Sequence, residues 1–212
     1  MIESGWVPPG ISHKGFGTQL PLGNIETCRL DTNRRKLPLV NSDLMITLIG
    51  MPGSGKSTVG GLLSQQLNLE RVDTDRLIES QEKQTLQQIM DKRGNANFRA
   101  IEEQVLTEMP LFPCIISTGG SVVYSDKIMR RLRAVSTVVY LRARFETIEY
   151  RVSLDPQRGI AADGSQSLRD IYDERIPLYE RYNAFAVDCD NASPEALAET
   201  IIGHLTQTSP PS

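Results

Sequence analysis

The chain has 212 residues, 39% of them apolar and 23% charged, with a formal net charge of -3. That length suffices for one ordinary domain, or a domain and a tail, with a core that needs no disulfide or metal staple. The slightly acidic balance argues against nucleic acid or a membrane surface as a partner, and no apolar run approaches the length of a bilayer-spanning helix.

Cys28, Cys114 and Cys189 form neither a CxxC pair nor a metal-ligand spacing, and read as reduced thiols of a cytoplasmic protein. The two histidines, His13 and His204, lie outside the patterned region, which argues against histidine-centred catalysis or a histidine metal site. Residues 1–44 carry scattered Gly and Pro without a periodic apolar pattern. They lack the apolar centre of a signal peptide, and Glu3, Glu26, Asp31 and Asp43 distinguish them from acid-poor transit peptides. They read as an irregular extension. It is either dispensable, with Met45 as the true start, or a docking segment anchored by Trp6 and Phe16.

From Met45 strand and helix signals alternate. LMITLIG (44–50) is a β-branched apolar run of the buried parallel type. A helix is expected over 55–68, where Val59, Leu62, Leu63 and Leu67 recur at helical spacing. ERVDTD (70–75) is expected to be a short strand, followed by helices over 75–92 and 95–109. CIIST (114–118) is a strand, DKIMRRLRA (126–134) a helix, STVVYLRA (136–143) a strand and 144–153 a helix. Residues 154–167 combine breakers with few apolar anchors and read as a mobile loop. LRDIYDERIPLYERYNAF (168–185) is helical despite Pro177, and AVDCD (186–190) is the last strand. SPEALAETIIGHL (193–205) is the last helix, with Ser193 as N-cap and Pro194 at its first position. The domain is expected over 45–207, with 208–212 as a frayed tail. This alternation predicts an α/β fold with a central parallel sheet flanked by helices on both faces.

Gly50, Gly55, Lys56 and Ser57 satisfy G-x-x-x-x-G-K-[ST] between a predicted strand and a predicted helix. The glycines let successive backbone N–H groups point inward at phosphate oxygens, and the helix N-terminus adds a favourable dipole. Lys56 is placed for the β- and γ-phosphates of a nucleoside triphosphate, and the Ser57 hydroxyl for Mg²⁺. The bland alternative is a glycine turn with a surface lysine. No NKxD guanine motif is present, and the length beyond Met45 suits a small kinase better than a motor.

Asp73 and Asp75 at i and i+2 would share one face of a strand. If that strand lay beside the phosphate-loop strand, both carboxylates would sit at the carboxyl end of the sheet, where open α/β folds bind ligands. One carboxylate could support a metal through water, the other accept a hydrogen bond from an attacking hydroxyl. A polar strand exit, with Asp75 capping the next helix, is the competing account. Arg99 with Glu102 and Glu103, the glycines of STGGSVV, and Arg175 near Pro177 and Tyr179 are weak signals taken singly.

In order, GMPGSGKST, DTD, FRAIEE, TGGSVV, QRG and ERIPLYERYNAFAVD resemble the shikimate kinase family over essentially all of residues 45–206. The resemblance implies a three-layer P-loop kinase fold with a mobile lid. The implied reaction is Mg²⁺- and ATP-dependent phosphorylation of the shikimate 3-hydroxyl, in the pathway to aromatic amino acids, by a monomer. Gly53, Ser54, Gly55, Lys56, Ser57 and Thr58 would hold the ATP phosphates, with Arg151 and the segment near Pro194 flanking the adenine. Ser57 and Asp73 would serve Mg²⁺, the latter through water. Asp75 would hold the acceptor hydroxyls as candidate base, and Arg99 and Arg175 would clamp the acceptor carboxylate, with Glu102 orienting Arg99. Gly119, Gly120 and Ser121 would line the acceptor pocket, and Arg158 would swing in on the lid as a third catalytic group. Two places depart from the family pattern. Ser121 stands where a third glycine is usual, and Arg158-Gly159-Ile160-Ala161 replaces the usual R-P-L-L. Both touch the acceptor side. They leave open a kinase for another small hydroxylated carboxylic acid, or a nucleotide-binding regulatory module.

Overall fold

The central strand of the sheet, β1 (Ile46–Ile49), is buried at every position, as an apolar ITLI run covered on both faces must be. The structure, a computed structural model, describes residues 43–154 and 166–208. The N-terminal extension with Trp6 and Phe16, His13, Cys28 and the Arg158 lid segment lie outside the described residues.

The other elements are α1 (Lys56–Leu67), β2 (Glu70–Asp73), α2 (Thr74–Glu82), α3 (Leu86–Glu108), β3 (Cys114–Ser117), a short 3-10 helix (Val122–Tyr124), α4 (Asp126–Val135), β4 (Thr137–Arg142), α5 (Phe145–Ser153), α6 (Leu168–Tyr182), β5 (Phe185–Asp188) and α7 (Pro194–Thr208). Five strands pair in the order β2-β3-β1-β4-β5, all parallel, giving the expected helix-flanked sheet. The main core gathers Ile46, Leu48 and Ile49 of β1 with Ile115, Ile116, Val138, Val139 and Leu141 of its neighbours. No described helix is long and apolar enough to cross a membrane.

Several local expectations are corrected. β2 lies beside β3 and not beside β1. It ends at Asp73, and Thr74 already begins a helix, so Asp73 and Asp75 do not share a strand face. Asp73, not Asp75, is the N-cap, its carboxylate accepting from the Arg76 amide at 3.4 Å. The helix expected over 75–92 is broken in two. Lys83 adopts a left-handed conformation (φ 53°), and Thr85 and Gln88 form a reciprocal capping box that starts α3. The break expected between 92 and 95 is present: α3 is interrupted at Gly94 (φ 75°, ψ 165°). Finally, α7 runs on to Thr208, beyond the leucine where the apolar pattern stops.

Candidate active site

The phosphate loop connects β1 to α1. Gly55 occupies the N-cap of α1 at φ 97°, a conformation that side chains strain to adopt, and no side chain caps the helix. The first amides of a twelve-residue helix are thus left facing the loop. Lys56 is only 5% exposed. Its Nζ donates to the carbonyls of Gly50 and Met51 at 2.8 and 2.9 Å, which holds the cation under the loop. Gly53 to Thr58, Arg151 and Pro194 line one cleft of about 430 Å³, so the predicted nucleotide-side residues are brought together. Arg151 donates to the carbonyls of Gly53 and Cys189 at 3.3 and 3.1 Å, tying the loop to the segment after β5.

Ser57 and Asp73 meet as expected. The Ser57 hydroxyl donates to Asp73 Oδ2 at 3.2 Å. Arg71, which no sequence pattern singles out, donates to the Ser57 carbonyl at 2.8 Å. A hydroxyl beside a carboxylate supplies hard oxygen donors, and Mg²⁺ typically takes one or two such ligands with phosphate and water completing its shell. The donor set therefore fits this ion. Among the described residues no group of three His, Cys, Asp or Glu side chains could hold a metal by itself.

The acceptor side is built on the turn that follows β3, the strand adjacent to β1. A methyl carbon placed on Gly119 would lie 2.6 Å from Asp75 Oδ1 and 2.7 Å from Glu102 Oε1. One placed on Gly120 would lie 2.8 Å from Pro52 Cδ and 3.0 Å from Arg175 Nη1. Both glycines are therefore demanded by close approach. The turn packs on the phosphate loop through Pro52 while two carboxylates and an arginine converge around it. Arg175 comes from α6 and is 1% exposed. Pro177 does not end that helix. Tyr179 of the same helix donates to the Gly120 carbonyl at 2.6 Å.

Ser121 donates to Glu102 Oε2 at 2.7 Å, so its hydroxyl is engaged by α3. Arg99 acts on Glu102 through its charge. Its guanidinium lies over the Tyr124 ring, 4.0 Å from the centroid. A cavity of about 370 Å³ opens on this side, lined by Arg99, Glu102, Ser121 and Tyr124 with Leu106 and Ile128 below. Among the described residues, the buried side-chain polar atoms without a hydrogen-bond partner are Ser54 Oγ, Arg99 Nε, Glu102 Oε1 and Tyr140 Oη. Ser54 belongs to the phosphate loop, and Arg99 and Glu102 reach the acceptor side from α3. Buried orphans are costly in a folded core, and their concentration here marks surfaces built to bind a polar ligand.

Burial raises the Glu102 carboxyl to about 7. The Ser121 hydroxyl pulls it down, the neighbouring Asp75 carboxylate pushes it up, and Arg175 and Arg99 pull it down. A carboxyl that binds its proton more tightly folded than unfolded contributes stability that is complete below its unfolded value, about 4.5, and lost as pH climbs through about 7. The melting temperature of the ligand-free protein is therefore expected to fall across this window. Glu102→Gln should flatten that fall. An unchanged slope in the variant, by calorimetry, would mean that Glu102 is ionised throughout.

The acceptor turn one strand from the phosphate loop, on this fold, defines a phosphotransferase with an alcohol acceptor. The shikimate kinase model matches residues 52–206, and the chain belongs to that family. The shikimate kinase of Paracidovorax citrulli (strain AAC00-1) is 41% identical over 149 residues, covering 68% of this chain and 81% of that protein. The one from Thermodesulfovibrio yellowstonii is 34% identical over 160 residues, or 74% of this chain and 92% of that protein. The solved structure of shikimate kinase from Acinetobacter baumannii in complex with shikimate matches with a TM-score of 0.73 at 29% identity, covering 78% of this chain and 94% of that one.

Proposed function

We propose that this chain transfers the terminal phosphoryl group of ATP to the 3-hydroxyl of shikimate, giving 3-phosphoshikimate and ADP, one step towards aromatic amino acids. The observation that carries the reading is the convergence of Asp75, Glu102 and Arg175 on the Gly119–Gly120 turn, itself packed against Pro52 of the phosphate loop. An acceptor seated there lies next to the phosphates, and positioning of this kind supplies most of what phosphoryl transfer requires.

Lys56 and the amides at the start of α1 hold and neutralise the phosphates. Asp75 holds the acceptor hydroxyls and takes the proton of the attacking one. The planar forks of Arg99 and Arg175 grip the acceptor carboxylate with paired hydrogen bonds. Glu102, fixed by Ser121, limits the positive charge of that clamp. Ser57 would ligate Mg²⁺ and Asp73 would support it through water; the ion would offset phosphate charge. Arg151 and the Pro194 segment flank the adenine. Arg158 adds a further cation at transfer.

We place this activity in a cytoplasmic, monomeric unit of residues 45–207. One observation supports the cytoplasmic placement: Cys114 and Cys189 are buried free thiols. Deleting residues 1–43 should leave turnover within about twofold of the full chain, since β1 and the phosphate loop begin after them. Loss of folding or activity would make the extension part of the domain.

A coupled ADP-release assay with shikimate, quinate, gluconate and nucleoside monophosphates tests the reaction. Turnover is expected with shikimate. Turnover with another acceptor alone would assign a different hydroxylated acid, the reading that Ser121 keeps open. ATP binding without turnover on any acceptor would favour a regulatory module.

A further inference from the structure

Arg99 and Arg175 reach the acceptor turn from different helices, α3 and α6, and one side chain touches both. The Tyr124 ring faces the Arg99 guanidinium at 4.0 Å. Its hydroxyl accepts from Arg175 Nε at 3.2 Å, with the Arg175 guanidinium carbon 5.2 Å from the ring centroid. We infer that Tyr124 is a positioning residue of the acceptor clamp, joining the two arginines into one preorganised anion receptor. This rests on the reading of Arg99 and Arg175 as carboxylate ligands.

Two guanidinium groups gathered at one site repel each other, and a buried cation such as Arg175 has lost its water. An aromatic face attracts cations within roughly 6 Å of its centroid, so a ring between the two lowers the cost of their proximity. The geometry also divides the surface of each arginine usefully. The Arg99 guanidinium carbon lies over the ring, and its buried Nε has no hydrogen-bond partner within the protein, which leaves that donor for a ligand. Arg175 gives Nε to the phenol while Nη1 is aimed at the Gly120 turn.

The ring is itself held. The Tyr124 amide donates to the Ser121 carbonyl at 3.0 Å and the Ser125 amide to Val122 at 3.1 Å, closing the 3-10 turn. Tyr179 from α6 and Glu102 from α3 fix the residues just before it. Tyr124 therefore reads the position of both arginine-bearing helices from a turn docked to each.

The test compares Tyr124→Leu, which removes ring and hydroxyl, with Tyr124→Phe, which keeps the ring face for Arg99. Tyr124→Leu should raise the KM for shikimate roughly 10- to 50-fold, from the lost cation–π contact and hydrogen bond. The KM for ATP and kcat should stay within about threefold. Tyr124→Phe should recover most of the loss. The methyl ester of shikimate, which lacks the carboxylate charge, should bind wild type and Tyr124→Leu alike, a difference that a merely structural role would not produce. Circular dichroism and melting check the fold. If the leucine variant does not fold, the phenylalanine variant decides alone, with a rise of roughly three- to tenfold expected from the hydrogen bond to Arg175. An unchanged shikimate KM, or equal losses for shikimate, its ester and ATP, would overturn the inference while leaving the reaction intact. A wild-type protein silent with shikimate would overturn the acceptor reading and this inference with it.

Discussion

Replacing Lys56 by alanine should lower phosphoryl transfer by at least about a thousandfold, or about 4 kcal/mol of transition-state stabilisation. Charge on the transferring group is met by fixed cations, and Lys56 is the cation built into the loop. It is 5% exposed and tied to the Gly50 and Met51 carbonyls, so it occupies one defined place below the phosphates. The fold should survive. β1 is anchored by Ile46, Leu48 and Ile49, all fully buried. A coupled assay with a melting curve reads both effects. Retained transfer would sink the assignment of this loop to ATP.

The second large effect is expected at Arg175. Alanine there should raise the acceptor KM by about a hundredfold or more, with little change for ATP, as the loss of a charged bidentate contact requires. Stability should also fall, because the side chain is 1% exposed and its removal opens a cavity beside Glu102. Arg175 is one of the charges that pull the Glu102 carboxyl down from its burial-raised value of about 7. Without it, Glu102 should hold its proton to higher pH. Arg175→Lys separates the two roles, keeping the charge and losing the fork. Its acceptor KM should remain high while its melting temperature recovers. If only the KM for ATP moved, the clamp assignment would be wrong.

The sequence carried the strands well where burial is two-sided, because LMITLIG, CIIST and STVVYLRA leave no other way to hide continuous β-branched runs. It carried the phosphate loop for a different reason: a backbone cradle for phosphate has few sequence solutions. The break at Lys83–Thr85 was written in Thr85 and Gln88, yet a capping box inside a polar stretch is easily read as more helix. The neighbours of β2 could not be read locally, since strand order is a property of the whole chain. The DTD misplacement came from treating polar residues at a strand exit as strand, when Asp73 ends β2 and caps α2.

Within the site, residues that touch ligand chemistry directly were legible as types: a lysine, hydroxyls, carboxylates, arginines. Tyr124 was not. In SVVYS it looks like the end of an apolar run, and only the meeting of α3, α6 and the 3-10 turn gives the ring its work. Glu102 was found through the resemblance, as the group that orients Arg99, and that arginine does act on its charge. Its hydrogen bond with Ser121, made across the fold, could not be read from spacing along α3.

The turn after β3 also bears on how such a pocket can drift towards new acceptors. At Gly120 a side chain would meet the rigid Pro52 ring of the phosphate loop, and at Gly119 it would have to displace the carboxylates of Asp75 and Glu102, so substitution at either position disturbs the site. One residue later the restriction lifts. Ser121 carries a side chain that fits because Glu102 receives its hydroxyl. A side chain is therefore accommodated more readily at position 121 than at the two glycines before it, without a clash at the phosphate loop.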